Sequence, residues 1–506
     1  MAATVLAVVG VACSSPPAPD RPAPPPVDHE ASVGWATSEL DPCALLSPDV
    51  VDAVEDAGPV YAASPHSCAV GDGAAGGVAE QRIAVAVGTA FGTAERAIAS
   101  PAVVGDRRAY LTRDVPAGPK ARCAVDFPIS PTRSVRVSAP AGDGDLAASC
   151  ATATTIAEPI GPKLAAPAER TRPAAPGDLG RWNACDLIGS ALGWQADRSA
   201  FASPDADTCR GAPQGPGSEP SVQVRLSVGP AALPAPGGGE QAVQLASGPA
   251  LQAGSPAQCT LTTIAQPLPA APVDVAAFRI TVVVREAPAD PCTAATTTMA
   301  TLTAAVANGP SATPTAPASL GYAPGAPDDA PPAACGVAGA APAESCRAPR
   351  PVAVPDSASA LVGGGSGADL ACAMLGSVAA PAVGELDLGA ADGAGCVGLA
   401  TDGFAVTVGV DPRSGSAGGD PCAGAGTRPA VPVPGGRTGV RCPSSPGTFD
   451  LVIPLVGPSG GPVLRVTGQV LASRGDRTRA RPAGADAEQR TRALADALVA
   501  RYVGPG

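Results

Sequence analysis

Cys43-Ala44-Leu45-Leu46-Ser47, Cys185-Asp186-Leu187-Ile188-Gly189 and Cys372-Ala373-Met374-Leu375-Gly376 are three renderings of one phrase, a cysteine and then apolar residues that open a helix. A second cysteine follows each, Cys68, Cys209 and Cys396, after 25, 24 and 24 residues. Such regular spacing across divergent intervening sequence marks an internal repeat. Beyond the second cysteine, apolar residues alternate: Ile83, Val85 and Val87, then Val222, Val224, Leu226 and Val228, then Phe404, Val406, Val408 and Val410. Period two predicts strands with one buried face.

Further out, a third cysteine (Cys123, Cys259, Cys442) precedes strand material at 134–137, 278–284 and 449–456. The connections are too short for parallel crossovers, so antiparallel sheets are expected. A closing helix is clearest in the second unit, where Asp290 caps, Pro291 fits the first turn, and Met299, Leu302 and Val306 share a face. The third unit closes similarly over 485–503, with Leu494, Leu498 and Tyr502 on one stripe. The expected fold class is α+β: three repeated, disulfide-stapled units, each an antiparallel sheet with flanking helices.

Cysteine pairing follows this rhythm. Cys43–Cys68, Cys185–Cys209 and Cys372–Cys396 would close loops of about 25 residues, each stabilising its unit by roughly 3–4 kcal/mol in the chain-entropy account. Cys123–Cys150 and Cys259–Cys292 would tie the last helix to the sheet. The third unit lacks that later cysteine and has Cys422 instead, to pair with Cys442, while Cys335 and Cys346 would close a local loop. Four cysteines allow three connectivities, so spacing selects an expectation and leaves the alternatives open.

Composition bounds the rest. Gly (61) and Pro (60) make up nearly a quarter of 506 residues and aromatics only 3%, so each core must be small and built from Val, Leu, Ile and Ala. Lys120 and Lys163 are the only lysines, and the Arg/Ala/Gly/Pro bias is that of a GC-rich genome. A net charge of -12 without a dense basic patch excludes nucleic acid as the expected partner. Fifteen cysteines point to an oxidising compartment. Zinc does not fit, because no CxxC or CxH spacing occurs and the histidines are His29 and His66 alone. No metal or cofactor is expected.

Residues 1–12 read as a signal peptide, with an apolar run too short to span roughly 30 Å of hydrocarbon. Cys13 follows, then a Pro-rich stretch, as in a bacterial lipoprotein signal whose cysteine is lipidated. Parity agrees, since fourteen cysteines remain to pair. The alternative is ordinary secretion with Cys13 a free thiol. Low periodicity and Pro/Ala richness divide the chain into a lipidated tether (13–38), unit 1 (39–163), a linker (164–178), unit 2 (179–308), a Pro/Ala-rich linker with a cysteine pair (309–365) and unit 3 (366–503). Thr313 and Thr315 in the last linker are candidate sugar sites, with a bare spacer as the plainer reading.

Asp41-Pro42-Cys43-Ala44-Leu45-Leu46-Ser47-Pro48 resembles the opening of small actinobacterial lipoproteins of unknown function, Asp-Pro-Cys-x-Leu-Leu-(Thr/Ser)-Pro with a second cysteine further on. Units 2 and 3 keep Cys-x-(Leu/Met)-(Leu/Ile) without Asp-Pro. The resemblance implies an envelope location and an α+β fold, more loosely similar to cysteine-bridged sensor domains of mycobacterial receptor kinases. It implies no activity.

Two catalytic strings occur out of context. Gly71-Asp72-Gly73-Ala74-Ala75-Gly76 fits a dinucleotide fingerprint, but strand-like residues follow where a helix is required. Gly457-Pro458-Ser459-Gly460-Gly461 fits a nucleophile elbow, yet Pro462 and more strand follow, and a Ser459–His pair would need His66 from a distant unit. The acidic pairs Glu55/Asp56 and Asp328/Asp329 read as solvated surface, and Trp35, Trp182 and Trp194 as packing rather than ligand stacking. No catalytic residue is assigned. The expected function is that of an exported lipoprotein on the outer face of the plasma membrane, binding an envelope protein, glycan or lipid. A serine hydrolase of envelope substrates and a ligand-free sensory or spacer module are the alternatives.

Overall fold

A computed structural model describes residues 29–52, 58–71, 83–114, 122–140, 145–167, 171–172, 177–198, 203–215, 220–268, 275–286, 290–310, 315–326, 330–337, 346–354, 367–391, 395–400, 402–411, 422, 428–443, 448–455, 462–470 and 485–503. Unit 1 runs α1 (His29–Glu39), α2 (Pro42–Leu45), α3 (Pro48–Val51), β1 (Val60–Ser64), β2 (Ser67–Val70), β3 (Ile83–Ala90), α4 (Thr93–Ile98), β4 (Ser100–Val104), β5 (Arg107–Asp114), β6 (Arg122–Pro128), β7 (Arg133–Pro140) and α5 (Leu146–Ala165). Unit 2 runs α6 (Ala184–Leu192), β8 (Gln195–Asp197), β9 (Thr208–Ala212), β10 (Ser221–Gly229), β11 (Glu240–Leu245), β12 (Gly248–Gly254), β13 (Gln258–Pro267), β14 (Ala277–Arg285) and α7 (Pro291–Asn308). Unit 3 comprises β15 (Cys346–Arg347), α8 (Gly367–Val383), β16 (Asp387–Ala391), β17 (Gly395–Leu399), β18 (Phe404–Asp411), β19 (Ala430–Val433), β20 (Arg437–Cys442), β21 (Thr448–Pro454), β22 (Val463–Val470) and α9 (Ala485–Tyr502).

One strand permutation occurs three times. The orders are β1-β2-β3-β7-β6-β5-β4, then β8-β9-β10-β14-β13-β12-β11, then β16-β17-β18-β22-β21-β20-β19 with β15 added outside β16. Every ladder is antiparallel, so the fold is α+β with three repeated sheets. The alternating residues turn one face of each sheet toward its helices. Val85, Val87, Val125 and Phe127 pack on Ile156 and Ile160 of α5. Val222, Val224, Ile280 and Val282 pack on Leu187, Met299 and Leu302, and Phe404, Val406, Leu451 and Val466 on Leu375, Leu494 and Leu498. Asp145, Asn183 and Asp290 accept from first-turn amides at the starts of α5, α6 and α7.

Seven disulfides join described residues and fit an oxidising, extracytoplasmic compartment. Cys43–Cys68, Cys185–Cys209 and Cys372–Cys396 tie each opening helix to the second strand. Cys123–Cys150 and Cys259–Cys292 tie the sheet to the closing helix, while Cys335–Cys346 and Cys422–Cys442 join cysteines 11 and 20 residues apart. Two details differ from the sequence reading. Cys372 lies in the second turn of α8 rather than at its start. Cys442 lies on β20, the counterpart of β5, so it is not equivalent to Cys123 on β6 or Cys259 on β13.

The tether and linker assignments need correction where the structure describes them. Within 13–38, residues from His29 onward form α1, and Trp35 is buried in the unit 1 core. Within 164–178, Leu164 is core, Thr171 bridges to Leu40, and the Arg172 amide donates to the Glu39 carbonyl at 2.6 Å. Within 309–365, Leu320 enters the unit 1 core, and the Arg108 amide donates to the Tyr322 carbonyl at 3.0 Å. The short 3-10 turn Ala333–Gly336 then packs between α4 and sheet 3, joining Ala97 to Val397, Leu399 and Ala405 through Ala334, Cys335 and Val337. Pro and Ala richness concealed these segments because a few apolar residues, too sparse for periodicity, anchor them. No described helix is long and apolar enough to cross a membrane.

Candidate functional site

Units 1 and 2 meet where the β1–β2 turn faces the loop entering β9. Pro65 and His66 form the turn, and the His66 amide donates to Ser64 Oγ at 3.2 Å. The opposing loop is Ser203-Pro204-Asp205-Ala206-Asp207, where Asp205 Oδ1 accepts from the Asp207 amide at 3.0 Å. Both units grip this loop. The Ala90 amide donates to the Pro204 carbonyl at 2.9 Å, Arg133 donates to the Ser203 carbonyl at 2.7 Å, and the Leu226 amide donates to the Asp207 carbonyl at 2.7 Å. Gly88, at φ +75°, permits the close approach, because a Cβ there would stand 2.7 Å from Thr37 Cγ2 and 3.1 Å from Ala206 Cβ. Beside it, Arg181 pairs with Glu39 at 2.6 Å, and Arg172 donates to the Pro65 carbonyl at 2.7 Å.

A cavity of about 430 Å³ opens at this junction, lined among others by Ser64, His66, Asp205, Asp207, Gln223 and Arg225. His66 Nδ1 lies 2.6 Å from Asp207 Oδ1, and Ser64 Oγ donates to Asp207 Oδ2. The ring is only 2% exposed, yet its Nε2 has no hydrogen-bond partner among the described residues. Asp207 accepts at Nδ1 and fixes the ring's orientation, which leaves Nε2 as its second hydrogen-bonding atom. Burial raises the Asp205 carboxyl above the usual range and the Asp207 charge adds to this, against the Asp207 amide, the Thr208 hydroxyl and His66.

A carboxylate orienting an imidazole supplies two of the three members of a hydrolytic triad. The nucleophile is missing at this point, because Ser64 bonds Asp207 and no described hydroxyl reaches Nε2. The arrangement is an oriented imidazole among the polar and apolar residues that line a cavity, suited to hydrogen-bonding a ligand's hydroxyl or amide.

The residues singled out from sequence do not converge here. Cys13, Glu55, Asp56, Asp72 to Gly76, Thr313, Asp328, Asp329 and Gly457 to Gly461 with Ser459 lie outside the described residues. Thr315 is exposed. Trp35 and Trp182 are buried in the cores of units 1 and 2, and half-buried Trp194 packs against the latter. Among the described residues no group of three metal-ligating side chains forms. Asp205 and Asp207 escaped sequence reasoning, and His66 entered it only as a distant partner for Ser459. The available signal was the rarity of histidine and its place in a Ser-Pro-His-Ser turn between two strands. No protein-family model, curated protein or solved structure matches the chain.

Proposed function

We propose that this protein is a non-enzymatic binding protein of the cell envelope, lipid-anchored through Cys13, whose ligand occupies the cavity between units 1 and 2. The observation that carries the reading is His66, which lines the cavity, is oriented by Asp207 and has a buried Nε2 without a partner among the described residues. A buried polar atom left unpaired costs roughly 1–3 kcal/mol, a cost that a bound hydrogen-bonding group removes. The disulfide-rich chain and the lipoprotein-like opening at Asp41 to Pro48 support the compartment. The cavity weighs against a ligand-free spacer.

Native mass spectrometry of the full chain purified from its own envelope tests the reading. The expected result is an adduct that is lost when Ala86→Trp fills the cavity, with the fold retained by circular dichroism. An adduct indifferent to Ala86→Trp would refute the assignment. The same spectra report whether Cys13 carries acyl chains. The hydrolase reading makes a separate demand, covalent labelling of Ser459 by a serine-directed phosphonate, and labelling would replace binding with catalysis.

A further inference from the structure

The cavity continues onto the outward face of sheet 2. Gln223, Arg225 and Ser227 alternate outward along β10, opposite the core residues Val222, Val224 and Leu226. Across β14 the outward row is Arg279, Thr281, Val283 and Arg285, and across β13 it is Thr260, Thr262 and Ile264.

The three repeats treat this face differently. In unit 1, Asp126 on β6 lies opposite Arg136 on β7 and accepts from it at 2.7 Å, with Thr112 and Ser134 completing its shell. In unit 3, Asp450 on β21 accepts from Arg465 at 2.6 Å and from Thr467 at 3.0 Å. The same strand pair in unit 2 carries no carboxylate. Asp126 stands three residues after Cys123, and the residue three after Cys259 is Thr262. Thr262 lies opposite Thr281, and their hydroxyls are 3.0 Å apart.

The arginine is replaced along with its carboxylate, since Thr281 stands where unit 1 has Arg136, and unit 2 instead carries Arg225 on β10, where unit 1 has Ala86. Arg225 faces Thr208 on β9 and Thr281 on β14, so Arg210 and Arg279, each two residues further along, are its diagonal neighbours. Diagonal neighbours on a sheet lie roughly 7–8 Å apart. Among the described residues none of the three pairs with a carboxylate, although Arg279 donates to the carbonyls of Pro230 and Ala232 at 2.8 and 2.9 Å. In a chain of net charge -12 this line of guanidinium groups is a local seat for anions.

We infer that the ligand is an acidic oligosaccharide, its hydroxyls received by His66 and Asp205 in the cavity and its carboxylate or phosphate groups by Arg225 and Arg210. This rests on the cavity being the ligand site. The hydroxyls of a sugar ring both donate and accept, so they match His66 and Asp205 alike, and Ser67, Thr208, Gln223 and Ser227 at the wall serve either role. An acidic peptide fits less well, because extended peptides add to a free sheet edge, whereas the backbone of β10 is paired on both sides by β9 and β14.

Titration calorimetry on the full chain decides the matter, using tetragalacturonate, a phosphorylated oligomannoside, maltotetraose, inorganic phosphate and a tetraglutamate peptide. The expected result is binding of one or both acidic sugars, weakened by added salt, reduced about tenfold or more by Arg225→Gln and abolished by Ala86→Trp. Which acidic sugar binds identifies the anionic group. Equal binding of maltotetraose, of phosphate alone or of tetraglutamate overturns the inference, as does unchanged affinity in Arg225→Gln. Failure of every probe while the native adduct persists and answers to Ala86→Trp refutes the sugar class and leaves the ligand site standing. Failure of both removes the site as well.

Discussion

Two aspartates show how opposite surroundings give opposite pH behaviour. Asp369, near the start of α8, accepts a fork from Arg347 at 2.7 and 2.8 Å and the Arg350 amide at 2.8 Å. The Arg347 hydrogen bonds chiefly hold its carboxyl down to about 2. A depressed folded value stabilises the fold above the ordinary carboxylate value and loses that stabilisation as pH falls from about 4 toward 2. Asp369→Asn should therefore lower the midpoint of urea unfolding at pH 7 and converge with the parent near pH 2. Asp205 has the reverse sign. Its raised folded value favours folding only while it is protonated and becomes a cost as pH rises through the ordinary range. Asp205→Asn, which can still accept from the Asp207 amide, should melt above the parent at pH 7 and match it at pH 3. A destabilised Asn variant at pH 7 would show that the carboxylate is there for the fold rather than for a ligand.

At the scale of elements, helices and turns meet through backbone as well as side chains. The β4–β5 turn at Gly105, φ +52°, lies directly on α5 at Gly161, where an added Cβ would fall 2.4 Å from the Gly105 carbonyl oxygen. Neither chain can yield without lifting the helix from the sheet that Cys123–Cys150 staples it to. Gly161→Ala should cost about 1–3 kcal/mol by overpacking, measured by chemical denaturation. The equivalent change at Gly237, where nothing lies within 4 Å, serves as the control and should be nearly silent. The strands themselves were readable from alternation: Ile83, Val222 and Phe404 each stand within or at the start of a central strand. The third cysteines fall on non-equivalent strands, Cys442 on β20 against Cys123 on β6 and Cys259 on β13, because strand equivalence is a property of the ladder and not of order along the chain.

The whole molecule is less divisible than its composition implies. Leu320 lies in a stretch read as linker, yet it is fully buried in the unit 1 core, and its amide donates to the Leu164 carbonyl at 2.8 Å. Leu320→Ala should destabilise unit 1 by roughly 2–5 kcal/mol, seen as a lower denaturation midpoint, whereas a true spacer would tolerate it. The 3-10 turn at Ala333 and the Cys335–Cys346 disulfide then carry the same segment onto sheet 3, with Gly389 leaving room for the sulfurs. Cys335–Cys346 therefore secures contact between units rather than an isolated loop.

What the chain alone determined is local and periodic: the cysteine rhythm of 24 and 25 residues, the period-two strands, and the capped closing helices. Such features depend on neighbours within one turn or one ladder, so they leave a trace in sequence. The threefold sheet permutation and the anchoring of the Pro-rich segments required the packed structure. So did the candidate site, because His66 and Asp207 stand 141 residues apart and acquire meaning only when two units dock. A buried histidine with one nitrogen satisfied and the other unpaired is a fact of tertiary geometry, since solvent would otherwise satisfy both.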